Sequence, residues 1–74
     1  MKKNFSELSK EGFISEKENA IEALFLQVKT YNYPPDLQYV NSVEELKREI
    51  DNGYNPDEHF SFYSDGYDVD VKIG

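Results

Sequence analysis

Residues 60–73, FSFYSDGYDVDVKI, decide how the chain folds, because turn chemistry and side-chain alternation meet there. Asp65-Gly66 is a favoured pair for a two-residue type I′ turn, whose central positions both need φ > 0. Centred on that pair, a hairpin sets Ser64 against Tyr67, Tyr63 against Asp68, Phe62 against Val69, Ser61 against Asp70 and Phe60 against Val71. Successive side chains in a strand point to opposite faces. One face then carries Phe60, Phe62, Tyr67, Val69 and Val71. The other carries Ser61, Tyr63, Asp68, Asp70 and Lys72. A two-stranded ribbon is only marginally stable alone, so its apolar face needs a cover, which upstream helices are predicted to supply.

Three capping signatures lie upstream. Asn4-Phe5-Ser6-Glu7 has capping-box spacing and opens a short helix or an N-terminal arm, with Gly12 as its stop and Phe13 and Ile14 turned to the core. Ser15-Glu16-Lys17-Glu18 opens a helix over residues 16–30, with Ile14, Ile21, Leu24, Phe25, Val28 and Tyr31 on one side at helical spacing and Leu26 off it. Residues 24–33 are β-branched and aromatic enough to extend as a strand instead. Tyr33-Pro34-Pro35 ends that element in an extended, polyproline-like connector. Leu37–Val40 is a candidate third strand, with Leu37 and Tyr39 inward. Ser42-Val43-Glu44-Glu45 opens a second helix over residues 43–51, its apolar stripe Val43, Leu46 and Ile50, its stop Asn52-Gly53. The expected architecture is a single small α+β domain over residues 1–74. Two to three short helices pack on a C-terminal antiparallel β-hairpin that a third strand can extend.

Composition narrows the function classes. At 74 residues only roughly 60% of the unfolded surface is buried on folding, which leaves little room for a deep catalytic cleft. The chain has no cysteine, which fits a reducing compartment. No apolar run approaches the roughly 20 residues of a membrane helix, and Glu7 and Glu11 stand where a signal peptide needs apolar residues. A cytoplasmic protein is expected. The net charge of −7 is uneven: residues 1–35 hold five acids and five lysines, residues 36–74 ten acids against Lys47, Arg48 and Lys72. That balance argues against direct binding to nucleic acid or anionic membranes, which need basic surfaces, and suits a basic partner.

The motifs of catalysis are missing. His59, the single histidine, has no second histidine or cysteine with which to build a metal cluster or a Cys/His dyad. It reads as a surface residue near Asp57, Glu58 and Lys72. No P-loop, G-x-G-x-x-G, H-E-x-x-H or G-x-S-x-G occurs. Glu44 and Glu45 read as solvated helix carboxylates. Asp65, Asp68 and Asp70, and the loop from Asp51 to Asp57, are oxygen-rich, yet neither follows the EF-hand pattern. Turn and capping roles account for them, so no metal, cofactor or enzymatic activity is expected.

What stands out is the acidic ribbon. Asp68 and Asp70 are two residues apart on a strand, roughly 6.6 Å at about 3.3 Å per residue. DNA phosphates along one strand also repeat at several ångströms, one charge falling per roughly 1.7 Å of duplex axis over both strands. Asp57, Glu58, Asp65, Glu49 and Asp51 extend the acid run. Exposed Tyr63, joined by Tyr54 and Tyr33, supplies interface aromatics. The expected partner-binding set is Asp57, Glu58, Tyr63, Asp65, Asp68 and Asp70. In size, charge and lack of catalytic motifs the chain resembles, as a type, the antirestriction and anti-CRISPR proteins of phages. That resemblance implies a stoichiometric inhibitor mimicking nucleic acid and occupying the basic groove of a nucleic-acid-binding enzyme. Two other readings stay open: an immunity protein or antitoxin plugging a toxin's active site, and a structural or regulatory module that is dimeric through the apolar hairpin face; either a monomer or a homodimer is compatible with the chain. Charges on a two-strand edge also serve simply to prevent aggregation.

Overall fold

Local capping chemistry starts three of the helical elements where the sequence predicts. In the computed structural model, which describes residues 1–11, 14–66 and 68–74, the Glu7 carboxylate accepts the Asn4 N–H at 3.0 Å and opens a 3-10 turn over Phe5–Glu7. The Ser15 hydroxyl accepts from Glu18 N–H at 3.1 Å and starts α1, Glu16–Tyr31. The Ser42 hydroxyl accepts from Glu45 N–H at 3.1 Å and starts α2, Val43–Asp51. Each bond satisfies a donor that the first helical turn leaves orphaned. Helix α1 stays helical through Tyr31 and stops at Asn32, whose φ of 52° is left-handed. Beyond α2, Gly53 takes φ of 112°.

The strands are β1 (Lys2–Lys3), β2 (Lys10–Glu11), β3 (Ile14–Ser15), β4 (Phe60–Ser64) and β5 (Val69–Ile73). Strands β1, β4 and β5 form one antiparallel sheet in that order, and β2 pairs with β3 separately. The fold is α+β. The core joins Phe5, Leu8, Ala20, Ile21, Leu24, Val28, Leu37, Val40, Leu46, Phe60, Phe62, Val69 and Val71, so the helices do cover the hairpin's apolar face.

The hairpin register differs from the predicted one by two residues. Phe60 faces Ile73, Phe62 faces Val71 and Ser64 faces Val69. The turn-closing pair is Asp65 and Asp68, joined by Asp65 N–H to Asp68 O at 3.3 Å, with Gly66 just inside it at φ of 96°. Side chains favour this turn: the Asp65 carboxylate accepts from Asp68 N–H at 2.8 Å, and the Ser64 hydroxyl from Gly66 N–H at 3.2 Å. A shift of two preserves side-chain parity, so the predicted faces survive. Tyr67, assigned to the inner face, lies outside the described residues, as do Phe13 and Gly12.

Three further expectations are corrected. The third strand is β1, not Leu37–Val40: Pro35–Leu37 is a 3-10 turn that buries Leu37 and Val40, and Tyr39 is exposed rather than inward. Pro34 is extended as expected, with φ of −80° and ψ of 162°, but it follows a cis Tyr33–Pro34 peptide, and Pro35 turns into the 3-10 segment instead of continuing as polyproline. Tyr31, placed on the core side of α1, is 61% exposed as the last residue of the helix, next to left-handed Asn32.

Glu16 holds these parts together. It is only 5% exposed, yet its carboxylate accepts from the Ser9 hydroxyl at 2.5 Å and from the Ser64 hydroxyl, with the Lys3 ammonium at 3.7 Å. The bond from Ser9, and then the charge of Lys3, hold Glu16 below the usual carboxylate range although burial pushes the other way. One side chain thus links β1, the N-terminal segment, the start of α1 and the end of β4.

Candidate functional site

The hairpin's outer face follows from the register. Side chains at directly paired positions share a face, so Lys2, Tyr63 and Asp70 form one cross-strand row, with Lys72 beside it. The Lys72 ammonium lies 5.5 Å from the centre of the Tyr63 ring, a cation–π distance. The run from Glu49 to Asp70 is therefore acid-only in sequence but not in space: Lys2 and Lys72 flank Tyr63.

Acid does prevail at the hairpin tip. Tyr63, Ser64, Asp65, Asp68 and Asp70 border an open hollow of about 390 Å³, closed on one side by Met1. The Met1 amino group donates to Ser64 O at 3.0 Å. A second open hollow of about 420 Å³ lies between α1 and β5, bordered by Asn19, Glu22, Ala23, Leu26, Asp68, Val69 and Asp70. Asp68 and Asp70 form the ridge between the two. Glu22 is an acid that sequence reasoning missed for this surface. Its signal was Leu26, four residues on and off the apolar face of α1: both belong to the outward helical stripe, and Leu26 is 66% exposed.

The six expected binding residues divide. Tyr63, Asp65, Asp68 and Asp70 come together at the tip. Asp57 and Glu58 sit in the 3-10 turn Pro56–Glu58, beyond the opposite end of β4. Four strand steps at about 3.3 Å put roughly 13 Å of β4 between the two groups. Asp57 has internal work: its carboxylate accepts the Phe5 N–H through both oxygens, at 3.0 and 3.1 Å, tying the first 3-10 turn to the segment that enters β4. Asp57→Ala is expected to cost about 1.5–3 kcal/mol, the range for a hydrogen bond to a charged group. Urea denaturation measures it, and a change under 0.5 kcal/mol would show that the bond is not structural.

Tyr33, Tyr54 and His59 also lie away from the tip. The Tyr33 hydroxyl is 3.1 Å from His59 Nδ1, and the Tyr33 ring meets the His59 and Phe60 rings edge-on. The histidine, read from the sequence as a surface residue, is thus half-buried against a tyrosine. Burial pushes the Tyr54 hydroxyl up to about 12, with Asp36 and Glu58 adding to the effect. Tyr39 donates to Glu49, which raises its pKa. Tyr33 and Tyr54 pack against the core, and the buried Tyr54 hydroxyl has no hydrogen-bond partner among the described residues. Glu45, expected to be a solvated helix carboxylate, accepts the Asn41 N–H at 3.2 Å.

Among the described residues, no three His, Cys, Asp or Glu side chains group closely enough to hold a metal ion. No described helix is long and apolar enough to cross a membrane. Fold and surface together define a small α+β domain with an acidic, aromatic-flanked hairpin tip. Comparison with protein-family models, with curated proteins and with solved structures gives no match.

Proposed function

We propose that the protein works by stoichiometric binding rather than catalysis, docking its hairpin tip into a basic groove of a nucleic-acid-binding protein and so blocking it. The observation that carries this reading is the convergence of Tyr63, Asp65, Asp68 and Asp70 around one open hollow, where three carboxylates outweigh the single Met1 ammonium and no Lys or Arg is among the lining residues. Carboxylates so placed complement a phosphate-binding surface and steer encounter, while Tyr63 offers a ring of the type that anchors interfaces. The Asp65 and Ser64 bonds that close the turn hold the tip in shape before contact, which lowers the entropy cost of binding. Asp57 and Glu58 are left out of the contact surface.

Capture from a bacterial lysate tests it, with wild type and Asp68→Lys side by side. A nucleic-acid-binding protein should be retained by the wild type, released as salt rises past a Debye length of about 8 Å at 0.15 M, and retained at least about tenfold less by the variant. Equal, salt-insensitive retention by both would sink the proposal. A retained toxin without affinity for nucleic acid would replace it with the immunity reading.

A further inference from the structure

We infer that β5 is a self-complementary edge, and that two copies of the chain join there into a continuous six-stranded sheet. Strand order leaves β5 at the margin of the sheet. In an antiparallel ladder, alternate residues aim their N–H and C=O groups at the partner strand and the rest aim them away. Gly74 N–H donates to His59 O at 2.9 Å and Asp65 N–H to Asp68 O. In β5 the even positions therefore bond to β4. Val69, Val71 and Ile73 present their backbone groups to the outside, and no backbone bond among the described residues reaches them there.

An edge of this kind is a template for another strand, and the side chains select which one. Placing a two-fold axis at Val71 sets Val71 against its own copy, Val69 against Ile73, and Asp70 against Lys72 of the second chain. Each of the outward-facing residues then meets another outward-facing residue, so the hydrogen-bond parity closes. Asp70 and Lys72 are both exposed on the outer face, where opposite charges directly across a pair attract. Shifting the axis to Val69 would set Asp68 against Asp70, like against like. An axis at Ile73 would leave Lys72 facing Gly74. An axis at Asp70 would pair Asp68 with Lys72 but set Asp70 against its own copy, and an axis at Lys72 would set two ammonium groups together. The Val71 register alone pairs opposite charges and leaves no like pair.

The second copy also accounts for exposed apolar surface. Ile73 is 44% exposed although it shares the core face with Phe60 and Val71, and Leu26 stands open over the hollow between α1 and β5. A strand added to β5 fills the open side of that hollow. A contact built on one 5-residue edge strand is short of what a permanent interface uses, and two chains of net charge −7 repel, so the dimer forms and dissociates with concentration. The acidic tips end at opposite ends of the paired strands: six steps from Asp68 to Asp68, at about 3.3 Å each, is roughly 20 Å.

Sedimentation equilibrium over a wide concentration range, at physiological salt, reads this out. Wild type should move from the monomer mass toward twice that value. Lys72→Asp and Asp70→Lys, each setting like charges against each other twice per dimer, should weaken self-association about tenfold or more. The Asp70→Lys/Lys72→Asp double variant should restore it. Ile73→Pro, which removes an outward N–H and none aimed at β4, should abolish it while circular dichroism shows the fold retained. A wild type that stays monomeric at every concentration overturns the inference, as does a charge swap that fails to restore the dimer. So does a monomer whose Val69, Val71 and Ile73 amides shift only with an extended basic peptide, since the edge would then serve a foreign strand.

Discussion

Phe62→Ala should remove about 3–5 kcal/mol of stability, the usual cost of emptying a fully buried phenylalanine site. Phe62 has no exposed surface, sits in the central strand between β1 and β5, and its ring lies 5.4 Å from that of Phe5. A domain of 74 residues has roughly 4–11 kcal/mol in total at about 0.05–0.15 kcal/mol per residue, so the variant should lose about a quarter of its stability at the least, and at the low end of that range no measurable transition is left. For that reason Phe62→Leu belongs beside it. Leucine keeps most of the volume and should cost about 1.5 kcal/mol or less if the site can repack. Urea denaturation followed by circular dichroism measures both. A loss below 1 kcal/mol for Phe62→Ala would mean that this strand is not the centre of the core.

Glu16→Gln should lower the melting temperature at neutral pH by several degrees and flatten its dependence on acid pH. Glu16 is held below its ordinary value of 4.5, chiefly by the Ser9 hydroxyl and then by Lys3, against the opposing effect of burial. The sign follows from linkage. A carboxylate whose folded pKa lies below its unfolded value binds more protons when unfolded. Its contribution is therefore complete above the ordinary carboxylate range and disappears as pH falls through the lower, folded value. The groups facing Glu16 are Lys3 from β1, Ser9 from the N-terminal segment and Ser64 from β4. Glutamine keeps an acceptor for one hydroxyl but has no charge to set against Lys3 and no proton to take up. Wild type and variant should therefore differ above pH 4.5 and converge below it. Parallel melting curves across that range would show that Glu16 titrates alike in both states. Ser64→Ala adds a check, because the Ser64 hydroxyl also accepts from Gly66 N–H: its loss should speed hydrogen exchange at the hairpin tip as well as lower stability.

Each of these effects arises where distant segments meet, and that marks the boundary between what the chain shows by itself and what folding adds. Capping is local. Asn4 with Glu7, Ser15 with Glu18 and Ser42 with Glu45 act over three residues, so the starts of these three helical elements could be read directly, unlike the 3-10 turns Pro35–Leu37 and Pro56–Glu58. Strand alternation is local as well. The predicted turn centre was off by one residue and the pairing by two, yet Phe60, Phe62, Val69 and Val71 kept their face, because a shift of two leaves parity unchanged. The acid-rich tip was legible for the same reason: Tyr63, Asp65, Asp68 and Asp70 are neighbours through one turn.

The tertiary structure decided whatever depended on long-range partners. Lys2-Lys3 carries no strand pattern of its own and becomes β1 only because β4 offers an edge, while Leu37–Val40, which has a better strand composition, folds into a turn against the core. Glu16 looked like a first-turn helix acid and is instead the buried tie between two sheet strands and α1. Asp57 belongs to the acid run in sequence, but its carboxylate is spent on Phe5 N–H, 52 residues away. Charge and spacing along a chain identify which side chains are available. Only the closing of the sheet determines which of them face solvent together, because that depends on backbone hydrogen bonds between residues the sequence holds far apart.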